Sequence, residues 1–258
     1  MFDLKNKTVL ITGASSGIGE ACAEIFAQAG TSLILAARRK ERLEQLSKSL
    51  QERFGTVSVV MPVDVSRVAE LSAAYEALPA VAKEVDILIN NAGLVKGMAR
   101  EWEVIPDDAD VMIDTNIKGL LTMTRLVVPG MLERGAGHII NIGSISGQEV
   151  YPGGAVYCAT KFAVRALSRG LKMDLLGSPI RVTSVDPGMV ETEFSNVRFS
   201  GDEKQAAQVY KDLTPLGPED VADAVLFAAT RPPHVNISEV LILPTDQASA
   251  RMVHREQE

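Results

Sequence analysis

The stretch Thr8–Gly19 reads TVLITGASSGIG. Five β-prone residues, Thr8 to Thr12, run straight into Gly13, Ala14, Ser15, Ser16, Gly17, Ile18 and Gly19. A short apolar run that stops at a glycine cluster is a buried strand ending in a turn. Ser16 or Gly17 then starts a helix through Ile18, Ala21, Ile25 and Phe26, and Gly30 ends it. Strand, glycine turn and helix in that order make a corner that can hold a dinucleotide pyrophosphate. Gly13 permits the tight turn, Gly17 allows close backbone approach, and Gly19 allows the helix to pack closely on the strand. The helix start adds unpaired N–H groups and a positive dipole end. The spacing is G-x-x-x-G-x-G rather than the commoner G-x-G-x-x-G, and a plain glycine-rich turn is the competing explanation.

The same rhythm continues outward. Strands are expected at Ser32–Ala37, Val57–Val63, Val85–Ile89, His138–Ile142, Ile180–Val185 and Glu239–Leu243. Helices fall between them, at a charged segment carrying Leu43, Leu46 and Leu50, then at Ser66–Lys83, Asp107–Asn116, Ile117–Arg134, Tyr157–Leu175 and Pro218–Ala229. Strands alternating with helices predict an α/β fold of the doubly wound Rossmann type. The sheet is mainly parallel and seven-stranded, with helices on both faces. No linker divides residues 1–258, so one domain is expected. The exception to the rhythm is Pro187–Thr214, a polar insertion with room for a short helix at Gln205–Lys211. Loops of that length are functional, disordered or partly helical.

Composition excludes several classes. The 258 residues carry 26 basic and 33 acidic side chains, a net charge of -7, which does not suit a nucleic-acid binder. Apolar runs fall short of the roughly 20 residues of a membrane span, and MFDLKNK lacks the order of a signal peptide. Cys22 and Cys158 cannot define a disulfide framework, and a reducing, cytoplasmic setting is expected. His138, His234 and His254 are scattered, so no metal site is expected.

The end of the second strand bears on nucleotide choice. A ribose-binding acid is expected there, but the chain reads Ala36, Ala37, Arg38, Arg39, Lys40. Two adjacent guanidinium groups can grip a 2′-phosphate by charge-assisted bonds, which indicates NADP(H). A solvated helix start is the alternative. Asp64, ending the third strand, either accepts from the adenine amino group or caps the following helix. Asn90, Ala92 and Gly93 close the fourth strand at the carboxyl edge, where ligands bind in such sheets.

A second constellation joins Ser144, Tyr157 and Lys161. Tyr157 and Lys161 are four apart and share a helical face, and Ser144 follows the fifth strand. An ammonium beside a phenol is expected to lower its proton affinity and make Tyr157 an acid/base group.

With these pieces in order, the chain resembles the classical short-chain dehydrogenases/reductases over essentially its whole length. The resemblance rests on Thr12–Gly19, on Asp64 with Val65, and on Asn90, Asn91, Ala92 and Gly93. It continues through Asn116, Ser144, the run Tyr157-Cys158-Ala159-Thr160-Lys161, and Pro187 with Gly188. The chain departs from the usual Tyr-x-x-Ser-Lys only in carrying Thr160, which keeps a hydroxyl. The resemblance implies that Ser144 orients the substrate oxygen and Tyr157 transfers the proton. It implies that Lys161 binds the nicotinamide ribose and that Asn116 supports a proton-relay water. Pro187, Gly188, Val190 and Thr192 would flank the nicotinamide, and the segment around 188–214 would be a substrate lid.

Within that family, Asn141–Gly147, Tyr151–Gly154, Val190–Ser195 and Leu243–Ser249 are similar to the NADP-dependent 3-hydroxy acid dehydrogenases. This narrower resemblance implies oxidation of serine, L-allo-threonine and related 3-hydroxy acids, and a homotetramer. A carboxylate substrate needs a cation, for which Arg198 is the first choice and Lys96 the second. Gln148 and Tyr151 would border the pocket, and Trp102 would either cover its edge or be buried. The competing functions are reduction of uncharged ketones, diketones or aldehydes, and a nucleotide-binding scaffold or sensor without turnover.

Overall fold

A computed structural model of the chain describes residues 3–199 and 201–255. Among them, seven strands form one sheet: β1 (Thr8–Thr12), β2 (Ser32–Ala37), β3 (Ser58–Pro62), β4 (Ile87–Asn90), β5 (Gly137–Ile142), β6 (Ile180–Pro187) and β7 (Glu239–Ile242). Their order is β3-β2-β1-β4-β5-β6-β7. Every pairing between neighbours is parallel, where a mainly parallel sheet was expected. Nine α-helices occur among the described residues: α1 (Gly17–Gln28), α2 (Lys40–Phe54), α3 (Val68–Glu76), α4 (Pro106–Ile113), α5 (Leu120–Arg134), α6 (Ala155–Asp174), α7 (Phe194–Arg198), α8 (Glu203–Tyr210) and α9 (Pro218–Ala229). None of the helices among the described residues is long and apolar enough to cross a membrane.

Alternation along the strands divides the core into two layers. Val9, Ile11, Leu33, Leu35, Ile87, Ile89, Ile140 and Val185 pack with the apolar stripes of α1, α2 and α9. Their neighbours Leu10, Ile34, Leu88, Ile139 and Val182 pack on the other face with Leu71 and Tyr75 of α3 and Met123, Val127 and Met131 of α5. Both faces are covered, which explains the near-continuous apolar strands.

The helix expected over Ser66–Lys83 is broken. Pro79 has no N–H to donate, so α3 stops at Glu76 and a separate 3₁₀ turn covers Ala80–Lys83. The insertion after β6 is better ordered than its composition suggests. It holds α7 as well as α8, and its ends are fixed by the Met189 and Leu216 backbones and by Tyr210, whose hydroxyl donates to the Val190 carbonyl at 2.7 Å.

The sheet's order reverses between β1 and β4, and a crevice opens there at the carboxyl ends of the strands. Gly13 sits in that corner with φ of 69°, a conformation that favours glycine. A Cβ at Gly19 would overlap the Gly13 carbonyl oxygen and lie 2.5 Å from Asn91 Nδ2. Gly19→Ala should therefore lower stability by about 1–3 kcal/mol through overpacking. Gly170→Ala, in α6 with nothing within 4 Å of the added methyl, should raise it by roughly 0.5–1 kcal/mol. Urea unfolding of the two variants checks this contrast. Equal effects of the two changes would contradict it.

Candidate active site

A single cavity is lined by residues from both sides of this crevice. From the β1 and β2 side come Gly13, Ser15, Ser16, Gly17, Ile18, Arg38 and Arg39. From the β4, β5 and α6 side come Ala92, Gly93, Ser144, Tyr157 and Lys161, with Asp64 and Val65 from the end of β3. Pro187, Gly188, Val190 and Thr192 close it from the segment after β6.

Arg39 is anchored on the glycine turn. Its Nε donates to Ser15 Oγ at 3.2 Å and its Nη2 to Ser16 Oγ at 2.6 Å. Arg38 is more open, with Nη1 3.9 Å from Asp64 Oδ2. Asp64 Oδ1 accepts from the Ser66 N–H at 3.0 Å and from its hydroxyl at 2.8 Å, while α3 begins only at Val68. Asp64 thus shapes the turn before the helix, and it also lines the cavity. A turn that a side chain at Gly13 or Gly19 would fill, with two guanidinium groups beside it, fits a phosphorylated dinucleotide.

Tyr157 and Lys161 lie on the buried face of α6. Phe194 of α7 meets the Tyr157 ring edge-on, centroids 5.8 Å apart, and Leu94, Val95 and Met112 pack around it. Lys161 Nζ donates to the Ile142 carbonyl at 2.9 Å. Burial lowers the Lys161 ammonium from its ordinary 10.5 to about 8, against the opposing pull of the Asp186 carboxylate. Asn116 sits in a turn of π-helix, Asp114–Gly119, that links α4 to α5. Its Oδ1 accepts from the Leu94 N–H at 2.9 Å, and its Nδ2 donates to the Leu94 carbonyl at 2.9 Å and to Thr160 Oγ1 at 3.0 Å. π-turns inside helices occur often at functional sites.

The model of the short chain dehydrogenase family matches residues 7–203. The chain belongs to the short-chain dehydrogenase family. It is 45% identical over 258 residues, all of both chains, to an NADP-dependent 3-hydroxy acid dehydrogenase of Schizosaccharomyces pombe. It is 45% identical over 250 residues to sulfoacetaldehyde reductase 2 of Chromohalobacter salexigens, covering 96% of this chain and 98% of that one. Among solved structures, the closed form of a serine dehydrogenase complexed with NADP+ superposes with a TM-score of 0.90 at 45% identity, over 96% of this chain and 100% of that one. This short-chain dehydrogenase is thus an oxidoreductase related to the NADP-dependent 3-hydroxy acid and serine dehydrogenases.

Several expected residues stand elsewhere. Asn90 points into the core, where its Nδ2 donates to Asn141 Oδ1 at 2.9 Å and Thr124 Oγ1 at 3.2 Å, so its amide is spent on packing. Gln148 turns to the β6–β7 side and donates to Glu239 Oε1 at 2.8 Å and Asp186 Oδ2 at 3.2 Å, away from the expected pocket border. Lys96 and Tyr151 are absent from the cavity lining, although Arg198 reaches Tyr151. Arg198 stands one residue beyond the lining Val197 and donates from Nη2 to the Tyr151 hydroxyl, while its Nε is buried without an acceptor among the described residues. Trp102 is 78% exposed on a 3₁₀ turn, with Arg100 over its ring. It neither covers the cavity edge nor joins the core.

The phenol also differs from expectation. Burial pushes the Tyr157 hydroxyl well above its ordinary value of 10, as does nearby Tyr151, against the pull of Ser144 and Arg198. Lys161 Nζ stands 6.0 Å from the Tyr157 ring centre and donates to the Ile142 carbonyl, so desolvation sets the direction for the phenol.

Asn91, Gln247 and Glu193 carry structural roles that no local pattern around them announces. Asn91 Nδ2 donates to the Thr12 carbonyl at 2.9 Å and fixes the glycine corner. Gln247 Oε1 accepts from the Met189 N–H at 2.8 Å and so holds the backbone beside Gly188. Asn91 and Gln247 lie within stretches that resemble the family, and that placement was their only signal.

Lys161 gives a pH test. An unfolded chain keeps this proton to about pH 10.4. Below pH 8 both states are protonated, and the folded state carries the buried charge at full cost. Between pH 8 and about 10.4 the unfolded state binds more protons, so this group's contribution to stability rises with pH. The effect is on the order of 3 kcal/mol. Relative to Lys161→Met, the wild type should change little from pH 7 to 8 and then gain stability steadily to pH 10 in urea titrations of the cofactor-free protein. A pH-independent difference would show that Lys161 titrates alike in both states.

Proposed function

We propose that this chain is a single-domain, NADP(H)-dependent oxidoreductase. It interconverts a small 3-hydroxy acid or hydroxy amino acid, of the serine, L-allo-threonine or 3-hydroxypropionate type, with its 3-oxo acid or aldehyde. One observation carries the reading: Ser144, Tyr157 and Lys161 line the same cavity as the glycine turn, Arg38 and Arg39. The cofactor, when bound, supplies or accepts the hydride.

The chain supplies the rest. Arg38 and Arg39 grip the 2′-phosphate, and the backbone of the Gly13–Gly19 turn takes the pyrophosphate. The Ser144 hydroxyl orients the substrate oxygen. Tyr157 gives that oxygen a proton in reduction and takes one in oxidation. Its raised proton affinity keeps the resting phenol in the donor form, so the resting site is set for reduction. Oxidation needs the phenolate, which the Ser144 contact and the Arg198 charge favour. Lys161 binds the nicotinamide ribose, and Asp186 favours its charge. Asn116 holds Leu94 and so places Gly93 beside Lys161, where a relay water carries the proton out. Pro187, Gly188, Val190 and Thr192 flank the nicotinamide. The 188–214 segment serves as a substrate lid, with Phe194 resting on Tyr157.

Arg198 supports the acid substrate. A buried guanidinium N–H without an acceptor is costly, and a substrate carboxylate would satisfy it. Sulfoacetaldehyde, named for one relative, also carries an anion. The apolar wall of Leu94, Ile142, Phe194 and Val197 favours the second reading, reduction of uncharged carbonyls. The protein acts in the cytoplasm, consistent with its two buried, free cysteines. It assembles as a homotetramer through apolar surface that α5 and α6 leave exposed at Leu121, Leu132, Phe162 and Met173.

The test compares kcat/KM with NADP+ for L-serine, L-allo-threonine and 3-hydroxypropionate against their methyl esters. Wild type should prefer the acids. Arg198→Ala should lower kcat/KM for the acids by roughly tenfold or more, the worth of a charged hydrogen bond, and change the esters much less. Equal losses for acid and ester would assign Arg198 to the lid alone. A wild type that prefers esters would favour the uncharged-carbonyl reading.

A further inference from the structure

Glu193 precedes α7 and lines the cavity together with Arg38 and Arg39. Its carboxylate is shared between two guanidinium groups. Oε2 accepts from Arg39 Nη1 at 2.7 Å, and Oε1 accepts from Arg42 Nη1 at 2.7 Å. Through Arg39 this carboxylate reaches Ser15 and Ser16 of the glycine turn. One acidic side chain therefore ties the segment after β6 both to the nucleotide corner and to the first turn of α2.

A guanidinium fork receives a carboxylate and a phosphate in the same way. In this structure the fork is holding an anion that belongs to the protein. A phosphate dianion arriving at Arg39 would stand beside the Glu193 carboxylate, and the two repel. Both ion pairs are about half exposed, with side-chain exposures of 41–48%, so each is a weak, exchangeable contact.

We propose that Glu193 is an internal stand-in for the 2′-phosphate. It occupies Arg39 while no phosphorylated nucleotide is bound, and a 2′-phosphate takes Arg39 from it, leaving Arg42 as its remaining partner and loosening the first turn of the 188–214 segment. This rests on the assignment of Arg39 to the 2′-phosphate. Selectivity for NADP(H) is then expressed twice, in affinity and in the state of the lid. A nucleotide without the phosphate leaves the Glu193 latch closed. Arg38, whose nearest acid is Asp64 at 3.9 Å, remains available to the phosphate.

The test uses 2′,5′-ADP and 5′-AMP, which differ only in the 2′-phosphate, with the wild type, Glu193→Gln and Arg39→Ala. Calorimetry reads affinity. Hydrogen exchange reads the amides of Val197 and Phe199, which donate to the Glu193 and Ser195 carbonyls in α7. In wild type, 2′,5′-ADP should speed that exchange and 5′-AMP should not. Glu193→Gln should exchange quickly without ligand and bind 2′,5′-ADP about threefold tighter or more, with 5′-AMP unchanged. Arg39→Ala should weaken 2′,5′-ADP selectively. If Arg39→Ala has no such effect, the phosphate assignment falls and the proposal with it. If Arg39→Ala weakens binding but Glu193→Gln does not tighten it, or exchange in α7 does not respond to 2′,5′-ADP, the proposal alone is overturned.

Discussion

Asn91 Nδ2 donates to the Thr12 carbonyl at 2.9 Å and to that of Gly13 at 3.3 Å, across the gap where the sheet changes direction. The site depends on this contact. It locks the end of β4 to the end of β1, and it is possible only because Gly13 and Gly19 have no side chains to fill the space. The Thr12 hydroxyl reinforces it by accepting from the N–H groups of Asn91 and Ala92 at 3.1 and 3.0 Å. With that corner fixed, α1 begins against β1, Arg39 reaches the glycine turn from one side, and Gly93 lies near Lys161 on the other. The two halves of the crevice are thus registered on the hydrogen bonds of one side-chain amide.

Charge in the crevice is arranged at some cost. Lys161 is buried with the Ile142 carbonyl as its hydrogen-bond acceptor, and the Asp186 carboxylate favours its ammonium form. Asp186 is itself buried, accepts from Ser184 Oγ at 2.6 Å, and has its carboxyl raised by desolvation. Neither group would be placed there for stability alone, because desolvation of a buried pair commonly cancels its attraction. Perturbed titratable groups gathered around a cleft are typical of functional sites.

Much of this was legible in the residues. The alternating apolar and amphipathic segments led to the parallel sheet, and the Thr8–Gly19 stretch located the corner where the crevice opens. Ser144, Tyr157, Lys161 and the arginine pair could be named because each follows a strand or shares a helix face with a partner. What was hidden depends on tertiary direction. Asn90 ends β4 just before Asn91, and Gln148 lies four residues after Ser144, yet Asn90 faces the core and Gln148 faces β7. A one-residue change of position reverses the face that a side chain occupies near a strand. Glu193 met Arg39 across 154 positions of chain, a pairing no local pattern can announce. Burial of Tyr157 depends on Phe194, Leu94 and Met112 closing around it, so the direction of its proton affinity could not be read from the Tyr-x-x-x-Lys spacing.

The central claim is that one crevice brings the nicotinamide and the Tyr157 hydroxyl to the same substrate carbon–oxygen bond. Single-turnover hydride transfer from NADPH in Tyr157→Phe, paired with an NADPH titration of the same variant, tests this most directly. The expected result is near-normal NADPH binding with hydride transfer slowed by a factor on the order of 10² or more. Hydride transfer at the wild-type rate, with binding intact, would contradict the assignment of the proton to Tyr157 and the account built on it.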